Sequence, residues 1–367
     1  MKEDSARTLL NRIMGWDTLQ INKERPDLQA LAAIGYDDYQ QFSPGMRFIE
    51  RLSLWLRQFP AAQRKVAYDF MKNRLLYISR QQMEHLVSIS YPDFIRPLLL
   101  KQVSEESDMN IPVWKVKKLT ESLEFKILLH QTLFLGLSDG SYIDVFRRNN
   151  TGIISHEQIF RTHEITETRA VKMIKELEKS LEDFKEKNPV NRFRNIFLLD
   201  DFSASGISYL KEDNSKINKV KGKIANFYDS IIANSVFNLV NADDLRVHVI
   251  LYIATEEAIQ NLREIGTKIF KTITFTVDAI MTLPNSISFD ETSEKEFLDL
   301  IKNYGCENLL NEHFEQGKKD KLYLGFNEGG LPLILHHNTP NNSLPILWNN
   351  EDPSNFKGLF PRVSRHQ

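Results

Sequence analysis

Ile196-Phe197-Leu198-Leu199-Asp200-Asp201-Phe202-Ser203-Ala204-Ser205-Gly206-Ile207-Ser208 is the stretch on which both fold and function turn. The apolar run 196–199 has the character of a buried parallel strand, which carries hydrophobic side chains on both faces. It ends in two adjacent carboxylates, Asp200 and Asp201, and feeds a loop of small residues with hydroxyls at Ser203, Ser205 and Ser208. Loop amides and hydroxyls wrap a phosphate, above all where a helix begins and adds its positive end. Paired carboxylates hold vicinal sugar hydroxyls, with a metal ion nearby. Phosphate beside a diol describes a ribose 5-phosphate. The plainer reading is a strand end with an acidic turn and a serine cap. Acids at a buried strand end are costly without a partner, which favours the functional reading.

The stretch resembles the phosphoribosyl-diphosphate (PRPP) motif of type I phosphoribosyltransferases. That motif is a run of apolar residues, two acids, three variable residues, then Thr-Gly, any residue, Thr. Ser205 and Ser208 stand where the motif has threonine, and they keep the hydroxyls. The resemblance implies that Asp200 and Asp201 hold the ribose diol, with Mg²⁺ held indirectly through the ligand. It implies that Ser203, Ala204, Ser205, Gly206 and Ser208 hold the 5-phosphate. It also implies a loop after the first core strand that meets the diphosphate. Leu135-Gly136-Leu137-Ser138-Asp139-Gly140-Ser141 looks like its counterpart. Gly140 lets backbone approach a ligand closely, although Ser-Asp-Gly-Ser is also an ordinary turn. Arg147 is a candidate for a diphosphate oxygen, against a plain surface role. The family's flexible closing loop lies between these two elements. Here that interval shows no hairpin with a basic tip.

The chain has 367 residues, 41% of them apolar, which is enough for a substantial core and suggests two domains or one enlarged domain. The formal charge of −2 gives no global attraction to nucleic acid or to a membrane. Cys306 is the single cysteine, so intramolecular disulfides and multi-thiolate zinc sites are excluded. No apolar run approaches a membrane span and the first residues do not read as a signal peptide, so a soluble cytoplasmic protein is expected.

Residues 1–120 read as a helical N-terminal domain. Apolar residues recur at helical spacing among Met46, Phe48, Ile49, Leu52, Trp55 and Leu56. Tyr91-Pro92 is expected to end a helix that starts near Ser79. Two short helices around residues 62–88, with Arg64, Lys65, Lys72, Arg74 and Arg80, suggest a helix-turn-helix and a nucleic-acid contact, against the reading of a solvated basic face. From about residue 121 to 367 the pattern is α/β, strands alternating with helices, which predicts a parallel sheet flanked by helices. An amphipathic helix is expected at 166–187, with Val171, Ile174, Leu177, Leu181 and Phe184 inward. Lys211–Lys223 reads as an exposed lysine-rich loop, followed by a helix at about 224–240. Further strands are expected at 247–253 and 273–277, and helices at 256–265 and near 294–303.

The segment from about 320 to 367 is a candidate hood for a base or acceptor. His337, Asn338, Asn341 and Asn342 offer the donors and acceptors that read the edge of a ring. The alternative is an Asn-Pro turn network that satisfies its own backbone. Arg362, Arg365 and His366 make a small basic tail.

The C-terminal two-thirds is similar to an atypical, conflict-system branch of the phosphoribosyltransferase fold, some members of which are encoded beside retron reverse transcriptases. The carriers are Phe134–Ser141, Leu199–Gly206 and His337–Ser343. The resemblance implies an antiphage effector held silent by a partner, such as a reverse transcriptase or a nucleic acid met through the N-terminal helices. A homo-oligomer is compatible with it. Two classes stay open: a Mg²⁺-dependent phosphoribosyltransferase, and a non-catalytic sensor or partner-binding module for a ribose-phosphate nucleotide.

Overall fold

Five strands make the central sheet: β1 (Thr132–Gly136), β2 (Ile159–Arg161), β3 (Asn195–Ser203), β4 (Arg246–Thr255) and β5 (Thr274–Leu283). All neighbours run parallel, in the order β2-β1-β3-β4-β5. The computed structural model describes residues 3–107, 111–212, 220–233, 238–306, 309, 314–318, 320–350 and 356–362. The chain forms two compact units, one of Met1–Met83 with Asn285–Gln367 and the other of Glu84–Pro284. Sequence reasoning set a single boundary near residue 120. The described chain instead crosses between units twice, after Met83 and after Pro284.

The sheet lies wholly in the second unit. Its apolar positions alternate between two faces, as the pleat requires. Leu133, Leu135, Ile196, Leu198, Val247, Val249, Leu251 and Val277 join one buried cluster with Ala170, Met173, Leu177, Ala258 and Leu262 from the helices Glu167–Ser180 and Glu256–Ile269. Phe134, Phe197 and His248 occupy the other face, with Phe197 stacked on both neighbours. Burying the apolar side chains contributes about 1.5–3 kcal/mol each, the main favourable term for this layer.

The amphipathic helix ends at Ser180 and passes into a 3-10 segment, Glu182–Lys187. Its buried stripe is Ala170, Met173, Leu177 and Leu181, while Val171 stands 54% exposed. Of the residues expected inward, Leu177 and Leu181 are buried and Ile174 and Phe184 pack partly buried against the same cluster, while Val171 faces out. Tyr91-Pro92 does not end a helix. The run continues from Arg80–Ile89 through a π-helical turn at Ser90–Ile95 into Arg96–Glu106. Widened hydrogen bonding of this kind accommodates a residue that has no N–H.

In the first unit, helices occupy Glu3–Met14, Thr18–Ile34, Phe48–Arg57 and Ala61–Asn73. The helix-turn-helix reading fails here. A strand, Leu76–Ile78, separates Ala61–Asn73 from Arg80–Ile89 and pairs in parallel with Leu333–Leu335. This pairing draws the C-terminal segment onto the N-terminal helices. Trp55, fully buried, donates from its indole to the Ile346 carbonyl at 3.1 Å. Phe360 stacks against Phe48 and meets Tyr36 and Tyr39 edge-on.

Candidate functional site

In an open parallel sheet the strand order reverses at one place, and ligands bind beyond the carboxyl ends of the strands that flank it. Here that place lies between β1 and β3. Sequence order in the sheet is 2-1-3-4-5, so connections leave β1 and β3 toward opposite edges and a crevice opens between them. Ser138–Ser141 follows β1, and Asp200–Asp201 occupy the last part of β3.

β3 runs further than the apolar pattern suggested, because the ladder continues through Phe202 opposite Ile253 and Ser203 opposite Ala254. Both acids are therefore held in strand geometry. Alternation sends them to opposite faces. Asp200 follows Ile196 and Leu198 inward and is fully buried. Its Oδ1 accepts from the Ser138 hydroxyl and from the Asp201 amide, and its Oδ2 accepts from the Tyr209 hydroxyl and the Lys223 ammonium, both at 2.8 Å. The Ser138 bond ties the two switch-point loops together. Burial raises the Asp200 carboxyl above its ordinary range and adjacent Asp201 adds to this, while Lys223 and Ser138 oppose it. Burial and Asp200 raise the Tyr209 phenol.

Asp201 is partly exposed and accepts from the Phe202 amide at 2.8 Å through Oδ1. Its Oδ2 lies against Gly140. A Cβ at residue 140 would come within 2.8 Å of that oxygen, so a larger residue there would force Asp201 or the β1 loop to shift. Asp139 is exposed. Ser141 is buried against Gly136, and its hydroxyl has no hydrogen-bond partner among the described residues. Tyr142 follows in the left-handed region, φ +51°, which turns the chain into the helix Ile143–Asn149.

The small-residue loop differs from expectation in one respect. No helix begins within it. Residues 204–209 form bends and turns, and the chain goes on to a short antiparallel pair, Lys211–Glu212 with Val220–Lys221. The helix end beside the loop is instead that of Glu256–Ile269, capped by Thr255. Thr255 donates to the Ala204 carbonyl while its Oγ1 accepts from the Ala258 amide, and Asn261 donates to the Ser205 carbonyl at 3.1 Å. Ser203 accepts from the Gly206 amide at 3.2 Å, and Gly206 takes φ +76° against Leu262. Ser208 is exposed, and its carbonyl accepts from the Lys223 amide.

Arg147 does not turn toward the crevice. Its guanidinium pairs with Asp144 at 2.6 Å and donates to the Ile159 carbonyl at the start of β2. The hood candidates His337, Asn338, Asn341 and Asn342 belong to the other unit. There the His337 carbonyl accepts from Gln41, Asn338 Oδ1 from the Thr339 amide, and the Asn341 carbonyl from the Phe326 amide. Asn342 donates to the Phe326 carbonyl at 2.9 Å. These contacts are those of a turn network. Arg362 lies 5.9 Å from the Trp348 ring, whereas Arg365 and His366 fall outside the described residues.

Sequence reasoning missed Tyr209, Lys223, Thr255 and Asn261. Thr255-Glu256-Glu257 after a strand is a legible helix start. Lys223 gave no local signal, because a hairpin brings it back. The stretch 211–223 is thus no plain exposed loop at its ends, although residues 213–219 fall outside the described ones, as do residues 234–237 of the helix expected to 240. That helix is described as Lys223–Phe227 and a π-helical turn to Ile232.

The PRTase-CE family model matches residues 52–362. The chain belongs to the PRTase-CE family. That is a phosphoribosyltransferase-like family of conflict systems, and its match spans both units. No curated protein and no solved structure matched the chain. No helix among the described residues of this PRTase-CE chain is long and apolar enough to cross a membrane, and no group of three or more acids, histidines or cysteines among them is arranged to hold a metal.

Proposed function

We propose that this chain binds PRPP or a related ribose 5-phosphate nucleotide at the crevice between β1 and β3, and acts as an antiphage effector. The observation that carries this reading is the convergence of three elements at one switch point. The loop Ser138–Ser141 is bonded to the acid pair through Ser138 and Asp200, and the small-residue loop 203–208 continues from the same strand. In this reading Asp201 faces the sugar diol and the loop amides hold the 5-phosphate, a remote handle that orients the reacting carbon. Ser138–Ser141 meets the diphosphate. A nucleophile of the acceptor (a base nitrogen, an amine, a protein side chain or a nucleic-acid group) bonds to the anomeric carbon as its bond to diphosphate breaks, through an oxocarbenium-like state. Asp201 places negative charge near the developing positive sugar.

The resemblance also implies Mg²⁺. Asp200 is fully buried, and its oxygens already meet the Ser138 hydroxyl, the Asp201 amide and the Lys223 ammonium, with the Tyr209 hydroxyl shared between Asp200 and the Phe202 carbonyl. Asp200 therefore does not fit a direct metal contact.

A second reading, a ribose-phosphate sensor or partner-binding module, is favoured by one observation. Between Tyr142 and Arg194, all described, there is no antiparallel hairpin to close over the crevice. The interval holds two helices, 3-10 turns and β2, which pairs in parallel with β1. Calorimetric titration with PRPP and Mg²⁺, followed by assay of the mixture for diphosphate, separates the readings. Binding with release makes the protein a transferase. Binding without release favours the sensor, or an effector that awaits its acceptor or partner. Absence of binding counts against a ribose-phosphate site.

A further inference from the structure

Lys223 reaches Asp200 by a built route. After Ser208 the chain departs, forms the short pair 211–212 with 220–221, and returns. The return is pinned: the Lys223 amide donates to the Ser208 carbonyl at 3.1 Å and the Ile224 amide to the Tyr209 carbonyl at 2.9 Å. Gly222 takes φ +119°, and a Cβ there would lie 2.5 Å from the Tyr209 carbonyl oxygen. Glycine at 222 therefore permits the close backbone approach that sets Lys223 in place. The ammonium then sits 2.8 Å from Asp200 Oδ2 and 4.7 Å from the centre of the Tyr209 ring. Its side chain is 36% exposed, while that of Asp200 lies entirely inside.

A fully buried carboxylate needs a positive partner and filled lone pairs. Here an ammonium and three neutral donors complete the set.

We infer that Lys223 is the resident cation of this site, neutralising Asp200 in place of any metal ion, so that the sugar-phosphate end of the crevice holds its ligand without metal. The inference rests on the ribose-phosphate reading for its ligand, but not for its metal chemistry. Asp200 is then a positioning residue that fixes Ser138 and the β1 loop, and Asp201 is the acid turned to the ligand.

Two titrations test this. In the first, Mn²⁺ alone is titrated by electron paramagnetic resonance into wild type, Lys223→Met and Lys223→Arg, each checked for a cooperative melt. The wild type and Lys223→Arg are expected to bind Mn²⁺ at least about tenfold more weakly than Lys223→Met. Equal Mn²⁺ affinity in wild type and Lys223→Met, or no saturable binding in either, would overturn the inference. In the second, ribose 5-phosphate is titrated into wild type in chelator and in Mg²⁺, which needs no variant to fold. Affinities equal within about twofold support the inference, and a loss of about tenfold in chelator overturns it. Absence of ribose 5-phosphate binding in both buffers refutes the ligand reading instead, and the manganese titration then decides the role of Lys223 by itself.

Discussion

At the amino end of the sheet, Arg194 beside β3 and Arg246 at the start of β4 share Glu106, at 2.7 and 2.6 Å, and Arg194 also meets Asp244. At the carboxyl end of the same strands, Asp200 meets Lys223. The amino-end side chains are all 22–38% exposed, so water shares their charge. Asp200 is fully buried and relies on protein donors alone. The first network ties the helix Arg96–Glu106 to the strands and is expected to tolerate the loss of a member. The second has no slack, because each donor replaces hydration that the carboxylate has lost. Function is expected where the polar groups are most fully committed, between β1 and β3.

The sharpest way to break this contrast is to remove a partner at each end. Lys223→Met should cost about 2–3 kcal/mol in urea unfolding, below the full value for a buried pair because the lysine is partly solvated. A loss no greater than that at the amino end would remove the distinction. A second expectation concerns pH. His248 is buried on Phe197 and bonded to Thr276, and burial lowers its imidazole to about 4. It is neutral when folded and takes up a proton more readily when unfolded, so its contribution is present above about pH 6.5 and is lost as pH falls toward 4. Between pH 7 and 5, wild type should lose about 2 kcal/mol more than His248→Gln. Equal slopes would show that the ring is charged in the fold. Gly140→Ala should cost about 1 kcal/mol, by pushing the β1 loop off Asp201, and should weaken ribose-phosphate binding more than it weakens the fold. The smallest effect belongs to the amino end. Glu106→Gln should change stability by less than about 1 kcal/mol, and the change should shrink further in high salt.

The parts legible in the sequence were those whose signal is local. β3 announces itself through four consecutive apolar residues, and β4 and β5 through similar runs. β2 was missed, since Ile159-Phe160-Arg161 is too short for a pattern and earns its place by pairing with β1. The strand Leu76–Ile78 was hidden for the same reason: Leu75 and Leu76 continue a helical spacing, and only the distant Leu333–Leu335 makes them a strand. At the site, the acids and the loops could be read because their order along the chain is their order in space. Lys223 could not, because its place depends on a hairpin return and on Gly222. The asparagines of the C-terminal segment were legible as polar recognition or as turn chemistry, and only their partners, Thr339 and Phe326, show the turn network.

The central claim is that the crevice between β1 and β3 holds a ribose phosphate through Asp201. The most direct measurement is calorimetric titration of PRPP into wild type and Asp201→Asn, with urea unfolding of both as control. The account predicts one saturable site in wild type, weakened at least about tenfold in Asp201→Asn, with stability changed by less than about 1 kcal/mol. Equal affinity in the two proteins, both folded, would contradict it.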